Sequence, residues 1–139
     1  MQGCGFNCTG VDTCFIIDRP ASSAREDTAV KVLELRSERS GIRFDLFTDQ
    51  TAVVVYTCNQ LEGTIPLKRS QQHGPNGETQ YAQIHGCVAI ETQGWVDALN
   101  HPEWGQRDYQ VFEKGGRAST MLVRYVFGVD GKGEKVDMK

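Results

Sequence analysis

The sequence predicts an all-β fold, and its hydrophobic pattern supports this in three ways. Residues 42–48 alternate along the chain, so Ile42, Phe44 and Leu46 fall on one side of an extended strand. Residues 52–57 form a nearly continuous run of branched apolar side chains, which is typical of a strand covered on both faces. No stretch has the period of an amphipathic helix, and no internal repeat is present.

Further strands are predicted where short apolar runs lie between turn-forming residues. In chain order, the predicted strands cover residues 14–17, 29–35, 42–48, 52–57, 84–91 and 119–129. Asp49 and Gln50 form a turn signal, so residues 42–57 are predicted to form a hairpin. Long loops are predicted for 61–82 and 94–117, and loose ends for 1–10 and 130–139. A chain of 139 residues has the length of one domain, so residues 1–139 are predicted to be a single domain.

Composition and charge exclude several classes of partner. The formal net charge is −3 and the basic residues are interspersed with acidic ones, which gives no electrostatic basis for binding nucleic acid or an anionic membrane. No apolar run approaches the length of a membrane span. Residues 1–5 lack the charged and then apolar plan of a signal peptide, which favours an intracellular, cytoplasmic location.

The cysteines and histidines do not form a metal-binding pattern. The five cysteines include no paired C-x-x-C motif, and His73, His85 and His101 are far apart. Three of the cysteines lie in apolar segments and are interpreted as buried small apolar residues: Cys14, Cys58 and Cys87. His85 and Cys87 would share a face of a strand, but this spacing is not a signature of a cysteine nucleophile.

The stretch from Glu91 to Pro102 carries the densest chemistry in the chain. It follows the apolar run 86–90, which is interpreted as a buried strand that delivers the Glu91 carboxylate to its end. A carboxylate in such a place is suited to proton transfer, although a strand-terminal Glu that simply meets solvent is the simpler alternative.

The same stretch holds the side-chain types that bind sugars. Carboxylates and amides bind hydroxyl groups, and an aromatic ring packs on the C–H face of a sugar. The residues that supply this set are Glu91, Gln93, Trp95, Asp97, Asn100 and Trp104. The alternatives are that the two tryptophans pack in the core or at its rim, and that Asp97 and Asn100 form turns.

Three segments resemble the aldose 1-epimerases, the galactose mutarotases. Residues 85–102 (HGCVAIETQGWVDALNHP) resemble the C-terminal signature of that family, with its LETQ and W-x-D-A-x-N-x-P parts. Residues 56–64 (YTCNQLEGT) resemble the family's YTGNFLDGT, and residues 9–17 (TGVDTCFII) resemble its NGFDHNF segment. The three matches occur in family order and cover nearly all of the chain.

The resemblance implies a fold, a reaction and a set of roles. The fold would be the C-terminal part of a galactose mutarotase-like β-supersandwich. The reaction would interconvert the α and β anomers of a free hexose without a cofactor or metal. Glu91 would be the catalytic base and Asp12 would orient sugar hydroxyls. The other substrate-binding residues would be Asn59, Gln93 and Trp95.

The chain also departs from the family pattern. Family members are more than twice as long, and their catalytic acid, a histidine, lies in an earlier part. Thr13, Val54 and Cys58 stand where the family has His, often Gln, and Gly. The alternatives are therefore a non-catalytic carbohydrate-binding β-domain or an incomplete mutarotase fragment. The expected partners are a small aldose and either a completing N-terminal portion or a second copy of the chain.

Overall fold

A computed structural model describes residues 2–4, 8–18, 29–71, 78–116 and 118–130. These residues belong to two compact units, each built around its own sheet. The first unit comprises Met1–Ile16 and Ala52–Val96, and the second comprises Ile17–Thr51 and Asp97–Lys139. The prediction of a single domain over residues 1–139 stays a prediction.

The described residues form seven strands and only short helical turns, which confirms the all-β prediction. The strands are β1 (Gln2–Gly3), β2 (Gly10–Ile16), β3 (Val30–Arg36), β4 (Ile42–Thr48), β5 (Ala52–Tyr56), β6 (Ala89–Gln93) and β7 (Val123–Val129). One four-residue α-helix, α1, covers Arg107–Gln110. The described 3-10 helices cover Arg69–Gln71, Ala98–Asn100 and Pro102–Trp104.

The sheet of the first unit has the strand order β1-β2-β5-β6. The β1–β2 pair is parallel, and the β2–β5 and β5–β6 pairs are antiparallel. The central strand β5 is the most buried, with Ala52, Val53 and Val55 all at or below 9% exposure. This burial agrees with the uninterrupted apolar run in its sequence.

The sheet of the second unit has the strand order β3-β4-β7, and both pairs are antiparallel. Its central strand β4 contains Leu46 and Thr48, whose side chains are fully buried. Asp45 is also buried, although the alternating pattern placed it on a polar side. Ion pairs with Lys31 (2.8 Å) and Arg43 (3.3 Å) compensate its carboxylate for the loss of water.

The predicted hairpin over residues 42–57 is wrong, because β4 and β5 belong to different sheets. The turn residue Asp49 bonds elsewhere: its backbone N–H donates to Leu122 O (3.2 Å), and its Oδ1 accepts from Leu122 N (3.0 Å). Asp49 therefore ties the end of β4 to the segment that precedes β7. A turn signal indicates a change of direction but does not select the pairing partner.

Several predicted boundaries also move. The strand predicted for 84–91 is β6 at Ala89–Gln93, so Glu91 lies at the middle of the strand rather than at its end. The strand predicted to begin at Cys14 begins at Gly10, and the one predicted to begin at residue 119 begins at Val123. Within the predicted loose end 1–10, Gln2–Gly3 form β1 and Gly10 begins β2. Residues 1, 5–7 and 131–139 lie outside the described residues, so the predicted loose ends stay a prediction there.

The interpretation of Cys58 and Cys87 as separate buried residues is wrong. They form a disulfide with a Cα–Cα distance of 5.5 Å, and Cys4 and Cys8 form a second one. Cys58 is buried as predicted, but Cys87 is exposed, whereas Cys14 remains a free, half-buried thiol. Within the described residues, no cluster of side chains could hold a metal ion, and no helix is long and apolar enough to cross a membrane.

Candidate functional site

Strand pairing in the first unit brings Asp12 and Glu91 onto one face of the sheet. Asp12 of β2 lies opposite Tyr56 of β5, and Glu91 of β6 lies opposite Val54 of β5. Because side chains two positions apart on a strand point the same way, both carboxylates lie on the face that carries Val54 and Tyr56. We call this the Glu91 face.

Both carboxylates of the Glu91 face are exposed. Within the described part of the chain, neither Asp12 nor Glu91 makes an ion pair or a side-chain hydrogen bond. Cys14 and Val54 are half-buried and occupy the same cross-strand row as Glu91. The face therefore has two open carboxylates at its sides and a largely apolar middle.

Two other predicted site residues follow Glu91 closely. Gln93 lies opposite Ala52, which puts its half-buried amide on the Glu91 face. Trp95 is also half-buried and comes two residues after the end of β6. The register therefore places Asp12, Glu91 and Gln93 on one face of the sheet, and Trp95 follows the end of β6.

Asn59 makes contacts that the sequence did not reveal. Its Nδ2 donates a hydrogen bond to Val11 O (3.1 Å), and its Oδ1 lies 2.6 Å from Thr57 Oγ1. Thr57 Oγ1 in turn accepts from Val11 N at 2.8 Å. Both ends of the Asn59 amide are thus engaged within the protein, directly beside the residue that precedes Asp12.

His85 joins the same region from another segment. Its Nδ1 lies 3.2 Å from Thr57 O, and its Nε2 lies 3.2 Å from Thr9 Oγ1. Because a carbonyl oxygen only accepts, Nδ1 carries a proton and donates. The Cys58–Cys87 disulfide joins the same two segments. In the sequence, Thr9, Thr57 and His85 stood out only as members of the quoted family segments. Nothing in the sequence predicted the contacts between them.

The remaining members of the predicted sugar set belong to the second unit. Asn100 Nδ2 donates to Asp97 Oδ1, and Asp97 has a left-handed backbone at the start of a 3-10 helix, which confirms their interpretation as turn formers. Trp104 stacks on His101 with ring centroids 4.0 Å apart. His101 also bonds Glu103 (2.8 Å) and lowers the pKa of that carboxyl. His73 lies outside the described residues.

Comparison with known proteins identifies the family. A family model described as aldose 1-epimerase matches residues 3–119. The chain belongs to the aldose 1-epimerase family. Its all-β fold is a partial form of the β-sandwich of that family, as the sequence resemblance implied.

The curated relatives agree with this assignment. A probable aldose 1-epimerase of Arthroderma benhamiae is 38% identical over 135 residues, which cover 89% of this chain and 31% of the relative. Epimerase FSL3 of Gibberella zeae is 34% identical over 119 residues (86% of this chain and 25% of the relative). The galactose mutarotase of Mus musculus is 34% identical over 70 residues (50% and 18%).

The chain thus spans about a third or less of the length of these relatives. No solved structure matches it.

Proposed function

We propose that this chain carries the general base of an aldose 1-epimerase and interconverts the α and β anomers of a free hexose such as glucose or galactose. The observation that carries the proposal is the placement of Glu91 and Asp12 as two open carboxylates on one exposed face of a sheet. Membership of the aldose 1-epimerase family supports the choice of reaction.

The proposed reaction is an acid–base ring opening. Glu91 takes the proton of the anomeric hydroxyl, the C1–O1 bond becomes a carbonyl, and the C1–O5 bond breaks as an acid protonates the ring oxygen. Rotation about C1–C2 presents the other face of the aldehyde. Attack by O5 then closes the ring, and both protons return to where they began. One such proton-transfer group contributes about a hundredfold or more in rate.

The spacing of the two carboxylates suits one sugar ring. With strands about 4.8 Å apart and a two-residue offset of about 6.8 Å, the Cα atoms of Asp12 and Glu91 are roughly 12 Å apart. In this proposal the hexose lies across the face between the two side chains and contacts both carboxylates. Asp12 and Gln93 would bind hydroxyl groups, and Trp95 would offer a ring to the C–H face. Asn59 would support this site through Val11.

One observation favours a second candidate, a carbohydrate-binding domain without catalysis. The ring oxygen needs an acid, and neither histidine of the described residues is free for that task. His85 holds Thr9 and Thr57, and His101 contacts Glu103 and Trp104 in the other unit.

Polarimetry and calorimetry together test both candidates. Pure α-glucose and α-galactose are followed to equilibrium with the chain, with Glu91→Gln and with the control Glu62→Gln, an exposed residue of a loop. The proposal expects catalysed equilibration that falls about a hundredfold in Glu91→Gln alone. Saturable hexose binding without anomerisation supports the second candidate, and a chain that does neither overturns both.

From the sequence we propose a cytoplasmic location, but the two disulfides argue against it. Disulfides persist mainly in oxidising compartments, so the crosslinks Cys4–Cys8 and Cys58–Cys87 instead favour an oxidising one.

A further inference from the structure

The start of β2 is enclosed by three side chains from other segments. Gly10 has a φ of +101°, and a Cβ placed there would lie 2.4 Å from both Thr57 Oγ1 and Asn59 Oδ1. The same Cβ would lie 2.9 Å from His85 Cε1. A Cβ at position 10 would therefore force the side chains of Thr57 and Asn59 to shift, and the positive φ also favours glycine. We call Thr57, Asn59 and His85 the Gly10 cluster.

Side chains of the Gly10 cluster extend the hydrogen bonding between the two segments by one residue beyond the end of the β2–β5 ladder. The last paired residues are Asp12 and Tyr56. Beyond them, Val11 N donates to Thr57 Oγ1 (2.8 Å), while Val11 O accepts from Thr57 N (2.9 Å) and from Asn59 Nδ2 (3.1 Å). The backbone N–H and the backbone C=O of Val11 are thus both hydrogen-bonded. The residue after Val11 is Asp12.

The cluster also reaches the segment that leads into β6. His85 bonds Thr57 O through its side chain, and its backbone N–H donates to Cys58 O (3.2 Å). The Cys58–Cys87 disulfide crosses between the same segments. The entries to the two strands that carry Asp12 and Glu91 are therefore tied together at one end of the sheet.

We propose that the Gly10 cluster positions the Asp12 carboxylate for sugar binding, so Thr57, Asn59 and His85 are positioning residues of the site. This inference rests on the proposed function, because it takes Asp12 to be a sugar ligand. Asn59 and Thr57 then affect the sugar through Val11 and Asp12. The expected effect is on hexose affinity and KM, with little change in kcat, because Glu91 lies on another strand.

The test compares Thr57→Val, which removes the hydroxyl, with Thr57→Ser, which keeps it. Thr57→Val should weaken hexose binding about tenfold, as loss of about one hydrogen bond would. Thr57→Ser should restore affinity to within about twofold of the original chain. Asn59→Ala should resemble Thr57→Val. Circular dichroism checks that each variant folds.

A double-mutant cycle with Asp12→Asn separates positioning from general stability. If Thr57 acts through Asp12, Thr57→Val should weaken binding much less when Asp12→Asn is already present. Equal weakening in both backgrounds overturns the inference but leaves the proposed function intact. If Asp12→Asn alone leaves hexose affinity unchanged, the assignment of Asp12 as a ligand fails instead.

Amide hydrogen exchange supplies a readout that needs no sugar. Thr57→Val should speed exchange at the Val11 and Asp12 amides and leave the Glu91 amide, at the centre of β6, unchanged. Unchanged exchange at both Val11 and Asp12 overturns the inference, whatever the chain binds.

Discussion

The two sheets of this protein treat charged side chains in opposite ways. In the first sheet, Asp12 and Glu91 are exposed on one face and have no ion-pair partner within the described residues. In the second sheet, the buried Asp45 is paired with Lys31 and Arg43. The pairing with Lys31 lowers the pKa of Asp45 and, together with Glu34, raises the pKa of Lys31. The second sheet thus buries a paired carboxylate, and the first leaves two carboxylates exposed to solvent.

The two sheets also differ in what holds them together. The first unit contains both disulfides. Within the described residues, the second unit has no disulfide. Ion pairs and ring contacts join its strands, such as Phe44 with Phe127 (5.1 Å) and Arg124 over Phe47 (4.0 Å). The unit that carries the candidate site is therefore the one whose loops are covalently closed.

The largest expected effect comes from opening the Cys58–Cys87 crosslink. The bond joins residues 29 positions apart, and closing such a loop stabilises a protein by roughly 3–4 kcal/mol in the chain-entropy account. Replacing both cysteines by serine should therefore lower the free energy of unfolding by about that amount. Urea unfolding followed by circular dichroism measures the change.

Breaking Cys4–Cys8 in the same way is the matched control. Its residues are only 4 positions apart, so the loss should be smaller, about 2 kcal/mol. In both variants, amide hydrogen exchange should become faster in the first sheet. The exchange rates of β4, in the second sheet, should not change. If β4 opens equally fast, the two units do not differ in the way described.

The next effect concerns pH. Because the pKa of Asp45 is lowered below 3.8, its ionised form stabilises the folded state above that value, and this contribution is lost as pH falls below it. Asp45→Asn should be less stable than the original chain at pH 7 and should lose less stability on acidification to pH 3. Urea unfolding at the two pH values tests this.

Asp12→Asn gives the comparison for Asp45→Asn. Asp12 is exposed and unpaired within the described chain, so this variant should keep the stability of the original chain to within about 0.5 kcal/mol at pH 7. A loss at Asp12 as large as that at Asp45 would contradict the distinction between the two sheets.

The smallest effect concerns Cys58, which has a left-handed backbone with a φ of 54°. An L-residue pays about 1–2 kcal/mol in that conformation, and glycine does not. With the disulfide absent in both, Cys58→Gly should be about 1 kcal/mol more stable than Cys58→Ala, after allowing for the greater freedom of glycine in the unfolded chain. Reductant-containing urea titrations measure the difference.

Cys14 provides the control for this pair, because it lies within β2 and its φ is not positive. There the order should reverse, with Cys14→Gly less stable than Cys14→Ala by about 0.5–1 kcal/mol. The left-handed φ also accounts for the glycine that the resembling family segment has in place of Cys58.

The strands were predictable where burial imposed a pattern. Residues 42–48 are β4 as predicted, and the predicted strand 52–57 is one residue longer than β5. Alternating side chains and branched apolar residues are both direct consequences of the pleated strand, so they locate strands well. The hairpin between them failed because pairing depends on distant strands: β4 pairs with β3 and β7, and β5 pairs with β2 and β6.

The sequence likewise indicated some residues of the candidate site but not the contacts between them. The quoted family segments were enough to single out Glu91 and Asp12. The Gly10 cluster was not predictable, because Thr57 and Asn59 are 46 and 48 positions from Val11 and contact it only after β2 and β5 have paired. The Cys58–Cys87 bond was not predictable either. Both cysteines lie in apolar segments, so the sequence indicated buried apolar residues rather than a disulfide.

The sequence alone determined the all-β class, most strand positions and the family, because local side-chain pattern and short motifs carry that information. Only the tertiary structure decided that Glu91 and Asp12 share an open face while Asp45 is buried and paired. The reason is that a residue's face and partners depend on strand register, and register arises from contacts between segments far apart in the chain.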